Sequence, residues 1–281
     1  MSLFLLQLRH ELSKLFARKR TYVGFVVFLG AEVLIFSLLH LPGVKKAMSF
    51  LMQRSGYLFA DLYTGPTLAF IMLSYTAFLL GGLYLALVSG DLVAKEVEDG
   101  TLRMILCRPV SRGRILLLKY LACAVYTFTL SLFIVGSSVL MGILFQGTGE
   151  LFIYSPFDGI FSVLPFGEGL LRFAAAALVL GLGMLTVSTL GFSLSCLNMK
   201  PATATIITLS ILFVDSIIRN IPYFKSIEPY CLTANIGQWV HLFDSFIPWE
   251  RIASALLFLG AINGTLLAAA TVIFTLRDFK S

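Results

Sequence analysis

Residues 170–197, LLRFAAAALVLGLGMLTVSTLGFSLSCL, contain one charge, Arg172, close to their start. About twenty such residues, rising 1.5 Å each in a helix, cross roughly 30 Å of hydrocarbon. Runs 22–41, 67–89, 115–145, 201–222 and 252–276 have the same character. All are continuously apolar, without the in/out alternation of an outer-membrane barrel strand, so they read as helices. With 58% hydrophobic and 13% charged residues and a mean hydropathy of +0.91, the chain lies far from the soluble balance of roughly a quarter charged. The sequence predicts an all-α polytopic membrane protein, one transmembrane domain over 1–281 with six spans. The first twenty residues carry Arg9, Lys14, Arg18, Lys19 and Arg20 and no small-residue cleavage site, so no cleavable signal is expected.

Six spans put both termini on one side. Fourteen Lys and Arg fall on that side and seven on the other: Lys45, Lys46, Arg54, Arg172, Arg219, Lys225 and Arg251. The positive-inside rule makes the richer side cytoplasmic; the expected location is a bacterial or archaeal cytoplasmic membrane, with both termini inside. The net charge of +6 tracks that inner face, so topology and anionic lipid explain it and no nucleic acid is called for.

Cys107, Cys123 and Cys196 fall on or near the inner side and Cys231 outside, so no disulfide within the chain is expected. His10, His40 and His241 are scattered, with no CxxC, which argues against structural zinc. Met48, Met52, Cys231 and His241 form a soft-metal set only on paper, since methionines filling apolar gaps are commoner. No metal is therefore predicted. GxxxxGK[ST] is absent, so the chain has no P-loop, and if ATP is used another polypeptide hydrolyses it.

One stretch departs from the oily background. Residues 90–120, GDLVAKEVEDGTLRMILCRPVSRGRILLLKY, hold ten charged side chains, six of them basic. Here the second helix is expected to run past the membrane through 91–99 and to end at Gly100, since glycine accepts the left-handed turn of a helix terminus. Thr101 is placed to cap a short helix, 102–107, with Glu98 and Asp99 favourable at its start. Pro109 stops that helix, and Ser111 is placed to cap the third span through Arg114. The product is a short crosswise helix between two rods, with Leu102, Ile105 and Leu106 as its apolar contacts, able to move both rods together.

Asp91, Glu96, Gly100–Thr101–Leu102, Pro109–Val110–Ser111–Arg112, Ile115 and Lys119 resemble the signature of the ABC-2 type permeases, the membrane subunits of a class of ABC transporters. Six spans, a basic amphipathic start and a longer outer segment before the last span are similar as well. The resemblance implies that segment 91–114 carries a coupling helix docking into a separate ATPase through Asp91, Glu96, Gly100, Thr101, Leu102, Arg103, Ile105, Leu106, Pro109, Ser111 and Arg112. It further implies two permeases, a homodimer, working with two ATP-binding subunits. ATP and Mg would be used by that partner, and no cofactor is bound by this chain. Val97 and Leu118 depart from the family pattern, which more often has a basic residue and a glycine there.

The N-terminal segment 1–21 reads as an in-plane interfacial helix touching membrane lipid, with Leu5, Leu8, Leu12, Leu15 and Phe16 on one side and Arg9, Lys14 and Arg18 on the other. It serves either as an anchor or as an elbow that also touches the ATPase. Gly82, Ala86 and Gly90, and likewise Gly260, Gly264 and Ala268, space small residues by four, which allows close helix packing within the subunit or across a dimer. Glu32, near the middle of the first span, lines a substrate path or bonds to a neighbouring helix. Asp215 and Arg219, four apart, are expected to pair. The outer segments 47–63, 155–166 and 236–249 are aromatic and suit the interface. The expected function is that of a permease subunit without catalysis of its own, exporting a hydrophobic or amphipathic compound. An ATP-independent carrier or channel, or a non-transporting assembly scaffold, remains the alternative.

Overall fold

The bilayer offers no partner for an open backbone amide, so each apolar run closes its hydrogen bonds within itself. The computed structural model describes residues 3–54, 63–106, 110–155 and 159–277. Helices α1 (Leu3–Phe16), α2 (Lys19–Leu39) and α3 (Pro42–Arg54) come first, followed by α4 (Gly65–Thr76), a π-helical turn (Ala77–Gly81) and α5 (Gly82–Glu98). Next along the chain are α6 (Thr101–Leu106), α7 (Arg112–Gln146), strands β1 (Leu151–Ser155) and β2 (Ile160–Leu164), α8 (Phe166–Ser195), α9 (Pro201–Asn220), α10 (Leu232–Ile236) and α11 (Trp249–Leu276).

Among the described residues five helices are long and apolar enough to cross a membrane: α2 from Thr21, α7, α8, α9 and α11. The expected span 67–89 is not one α-helix. It is a rod of α4 and α5 joined through the π turn, where one residue more per turn shifts the facing side chains. Of the five long helices α8 is the central post, with 56% of its apolar window buried, against 17% for α2 and α9 and 11% for α11. Hydroxyls bind it to α7: Ser131 Oγ donates to the Ala177 carbonyl at 2.7 Å, and Thr127 and Ser188 share a hydrogen bond of 2.7 Å. Such bonds hold helices where no hydrophobic difference between lipid and side chain can.

Small residues set the closest crossings. A side chain on Gly142 of α7 would run into the Gly65 carbonyl of α4, and one on Gly90 of α5 would come within 2.8 Å of Thr205 Oγ1 on α9. Gly90 thus packs inside the subunit. Gly260 and Gly264 do not: a Cβ on either meets nothing within 4 Å among the described residues, while α11 meets α8 on another face, where Ser193 Oγ donates to the Leu266 carbonyl at 3.2 Å.

The fold is not purely helical. β1 and β2 form an antiparallel hairpin, Leu151 opposite Leu164 and Ser155 opposite Ile160, with Gly159 at φ +70° in the turn. It covers one end of the bundle. Thr67 Oγ1 accepts from the Phe152 amide at 3.0 Å, and Ser162 Oγ donates to the Phe243 carbonyl at 2.5 Å. Arg172 fastens the turn Gly237–Phe243 by donating to the carbonyls of Leu242 and Asp244, while it also pairs with Glu168. The five-residue strands LFIYS and IFSVL are too short to be told from the ends of apolar helices by periodicity. Of the outer segment 47–63, residues 47–54 belong to α3, which has Pro42 in its first turn, where a missing amide costs nothing, and residues 55–62 lie outside the described residues.

Two substitutions on α7 separate packing from propensity. Gly142→Ala collides with α4 and is expected to destabilise by about 1–3 kcal/mol. Gly136→Ala, where a Cβ meets nothing within 4 Å, is expected to stabilise by up to about 1 kcal/mol through helix propensity. Unfolding midpoints in one detergent should move in opposite directions.

Candidate functional site

At the end of the bundle opposite the hairpin, α5 stops where the sequence places its stop. The Asp99 amide closes on the Lys95 carbonyl at 2.9 Å and the Gly100 amide on the Val97 carbonyl at 3.1 Å, with Gly100 at φ +69°. This left-handed residue turns the chain directly into α6. The expected caps act differently. Thr101 is the first residue of α6, and its hydroxyl donates back to the Glu96 carbonyl at 3.3 Å, tying α6 to α5 rather than capping α6 itself. Ser111 holds the extended N-cap position of α7, but its side chain makes no capping bond; its carbonyl receives the Arg114 and Ile115 amides.

Leu102, expected as a contact for a partner, is 1% exposed and belongs to the protein's own core, whereas Met104 is 68% exposed. α6 therefore rests on Leu102 and offers Met104 outward. Nothing in the residue pattern singles out Met104, because a six-residue helix is too short to define a face. The side chains of Arg103, Ile105 and Leu106, and residues 107–109 with Pro109, lie outside the described residues.

Beneath α6 lies a buried ionic cluster. Lys119 of α7 is fully buried and Glu96 of α5 is 3% exposed. Lys119 Nζ lies 2.7 Å from Glu96 Oε2 and 3.0 Å from Glu11 Oε2, while Lys14 Nζ reaches Glu96 Oε1 at 2.5 Å. Glu11 and Lys14 both come from α1. Two acids and two bases from three helices thus neutralise one another where single charges could not stay. This corrects the reading of α1: Lys14 does not lie with Arg9 on the solvated side but faces inward, while Leu5 and Leu6 are exposed and Leu15 is buried. A stripe drawn from hydrophobicity alone excludes an inward charge whose partner is 82 residues away. Burial by itself would raise the Glu96 carboxyl, but the charges and hydrogen bonds of Lys119 and Lys14 outweigh it and hold the group below the ordinary carboxylate range.

Arginines fasten the same end. Arg112, expected to face a partner, donates instead to the Thr275 carbonyl at 3.0 Å and the Arg277 carbonyl at 2.9 Å, at the end of α11. Arg277 in turn donates to the carbonyls of Cys196 and Leu197, both at 3.0 Å, and to Asn198 Oδ1 at 2.7 Å. Each guanidinium meets carbonyls left open by a helix terminus, where positive charge is also favoured by the dipole. Asp91, on α5, is buried at 8% exposure.

The remaining singled-out residues lie elsewhere. Glu32 is fully buried between α2 and α7, where Ser137 and Ser138 each donate to its Oε1 at 2.8 Å. It bonds to a neighbouring helix, one of its two expected roles. Asp215 accepts from the amides of Leu232 at 2.9 Å and Thr233 at 2.7 Å and from Thr233 Oγ1 at 2.6 Å, so it caps α10 in addition to standing one turn from Arg219. Among the described residues no group of three His, Cys, Asp or Glu is placed to hold a metal ion.

A family model described as ABC-2 family transporter protein matches residues 9–276. A stretch of 71 residues is 35% identical to the Bacillus subtilis (strain 168) protein named "Uncharacterized protein YhcI". That stretch is 25% of this chain and spans 23% of the relative.

The Glu96 cluster has a definite pH signature. Because the folded value is lowered, its stabilisation is complete above the ordinary glutamate pKa of about 4.3 and is lost as pH falls through the lowered value. Glu96→Gln leaves Lys119 with less compensation and is expected to lose about 3 kcal/mol at neutral pH. The gap between wild type and variant in unfolding midpoint should shrink as the pH drops below about 4.

Proposed function

The chain belongs to the ABC-2 transporter family, and from that premise we propose that it is a permease subunit driven by a separate ATPase that docks on α6. The observation that carries this reading is the construction of α6. It is anchored by Leu102, it presents Met104, and it is joined to α5 by the Gly100 turn above a buried cluster that also holds α1 and α7. A force applied to α6 has no soft element to dissipate in before it reaches α5, because buried ion pairs and close packing resist gradual deformation. Closure of an ATPase pair, with ATP and Mg held in the partner's own sites, would then tilt α1, α5 and α7 as one body.

On this reading the α4–α5 rod crosses the membrane beside the five long helices, which gives six crossings. With the Lys and Arg distribution, this reading sets α6 and both termini in the cytoplasm and the hairpin outside. Two permeases with two ATPases form the working unit, and hydrophobic or amphipathic compounds are moved outward. The alternative of a carrier or scaffold makes no use of a short helix anchored by Leu102 with Met104 exposed.

Copurification with the partner tests the docking. Met104→Asp, on an exposed position, is expected to reduce the recovered ATPase by about tenfold, a loss of roughly 1.4 kcal/mol of binding, while leaving the unfolding midpoint unchanged. Leu102→Asp should lower both, since it places a charge in the core. Undiminished ATPase recovery with Met104→Asp would remove the docking assignment.

A further inference from the structure

A cleft of about 810 Å³ opens between the α4–α5 rod, α8, α9 and the segment from Thr233 to Val240. Its volume suits a drug-sized ligand, for which pockets of roughly 300–1,000 Å³ are usual. α5 and α9 meet closely at Gly90 and Thr205, and a Cβ on Gly82 would still touch Leu212 at 3.7 Å. Beyond that contact, toward the hairpin, the rod changes to the π turn, and Ala77 of that turn borders the cleft; such turns recur at functional sites.

One wall of the cleft is aromatic and fixed. Phe70 and Trp239 are buried with their ring centroids 6.2 Å apart, and Phe243 packs against both, at 5.2 Å and 6.3 Å. Rings held in this way favour another ring laid beside them. The flanks on α5 and α9 are open instead: Leu83 is 39% and Phe213 68% exposed, on helices that meet hydrocarbon on the transport reading.

The polar groups of the lining are already engaged. Arg219, the one charged residue among the described lining, has a partner within the protein. The Thr233 hydroxyl donates to Asp215 Oδ2 at 2.6 Å, and the Ser74 hydroxyl to the Phe70 carbonyl at 2.8 Å. A charged ligand would shed its water here and meet, among the described lining residues, no counter-charge left to replace it, which is the costly case of burial.

We propose that this cleft binds an uncharged aromatic molecule, which enters from the bilayer between Leu83 and Phe213 and lies against Phe70 and Trp239. Met184 supplies an adaptable wall for rings of different outline. The inference rests on the transport reading and deepens it by naming a substrate class, aromatic rather than long-chain and neutral rather than ionic. It is tested on the permease alone, so its failure and that of ATPase docking are separate results.

Trp239 lines the cleft, and the chain has only one other tryptophan, Trp249. Full-length Trp249→Phe protein in phosphatidylcholine nanodiscs therefore reports on the site by fluorescence. Methyl 4′-bromobiphenyl-4-carboxylate, whose bromine quenches at short range, should quench Trp239 saturably. At equal concentration in the bilayer, the free carboxylate should bind at least about tenfold more weakly, and the brominated bicyclohexyl ester, saturated in both rings, at least about threefold more weakly. Gly82→Leu, whose side chain has room to grow into the cleft, should abolish the saturable phase without lowering the unfolding midpoint. The comparison of ester with acid uses the unaltered cleft, so it stands whether or not that variant folds well. Equal binding of acid and ester, equal binding of the saturated ester, or linear quenching that never saturates would each overturn the proposal. So would saturable quenching retained in Gly82→Leu. Quenching by dibrominated phosphatidylcholine that the unbrominated ester cannot relieve would overturn it too, since that outcome assigns the cleft to bilayer lipid.

Discussion

Lys119 sits at the foot of α7 with no exposed surface, and a buried ammonium is tolerable only beside compensating charge. Glu96 and Glu11 supply it from two other helices, and Lys14 balances the second acid. Removing any member strands another, so α1, α5 and α7 share one fate at this end of the bundle. The crosswise helix α6 hangs from two of these three. On the proposed coupling role, its value as a place to push depends on the cluster below it being stiff.

The two ends of the bundle are fastened by different elements, though an arginine donating to carbonyls recurs at both. At the α6 end the fastenings are ionic or join guanidinium groups to open helix termini. At the other end a hairpin and a 3₁₀ turn are held by neutral hydroxyls and by Arg172. Between them lies the cleft, against the one long rod whose α-helical repeat is broken. The bundle is thus tied at its extremes and irregular midway.

How much of this could be read from residues alone depended on whether the signal was local. Hydrophobic length located the long helices, with errors of a few residues at their ends, and Gly100 was legible because a left-handed turn leaves almost no other choice. What failed to show was long-range or short. Lys14 is paired with Glu96 across 82 positions, and Arg112 with carbonyls more than 160 positions on, so neither role is written in its neighbours. The hairpin strands and α6 are too brief for a periodicity to emerge, and so Leu102 was expected outward when Met104 holds that place. The π turn left no mark in a run that is apolar on every side.

Arg277 grips carbonyls that precede it by some eighty residues. During synthesis on a ribosome, α8 and the link to α9 must therefore enter the bilayer and wait with those groups open until α11 has emerged. α11 acts as the closing stitch, and until it arrives those carbonyls must find their partners in water.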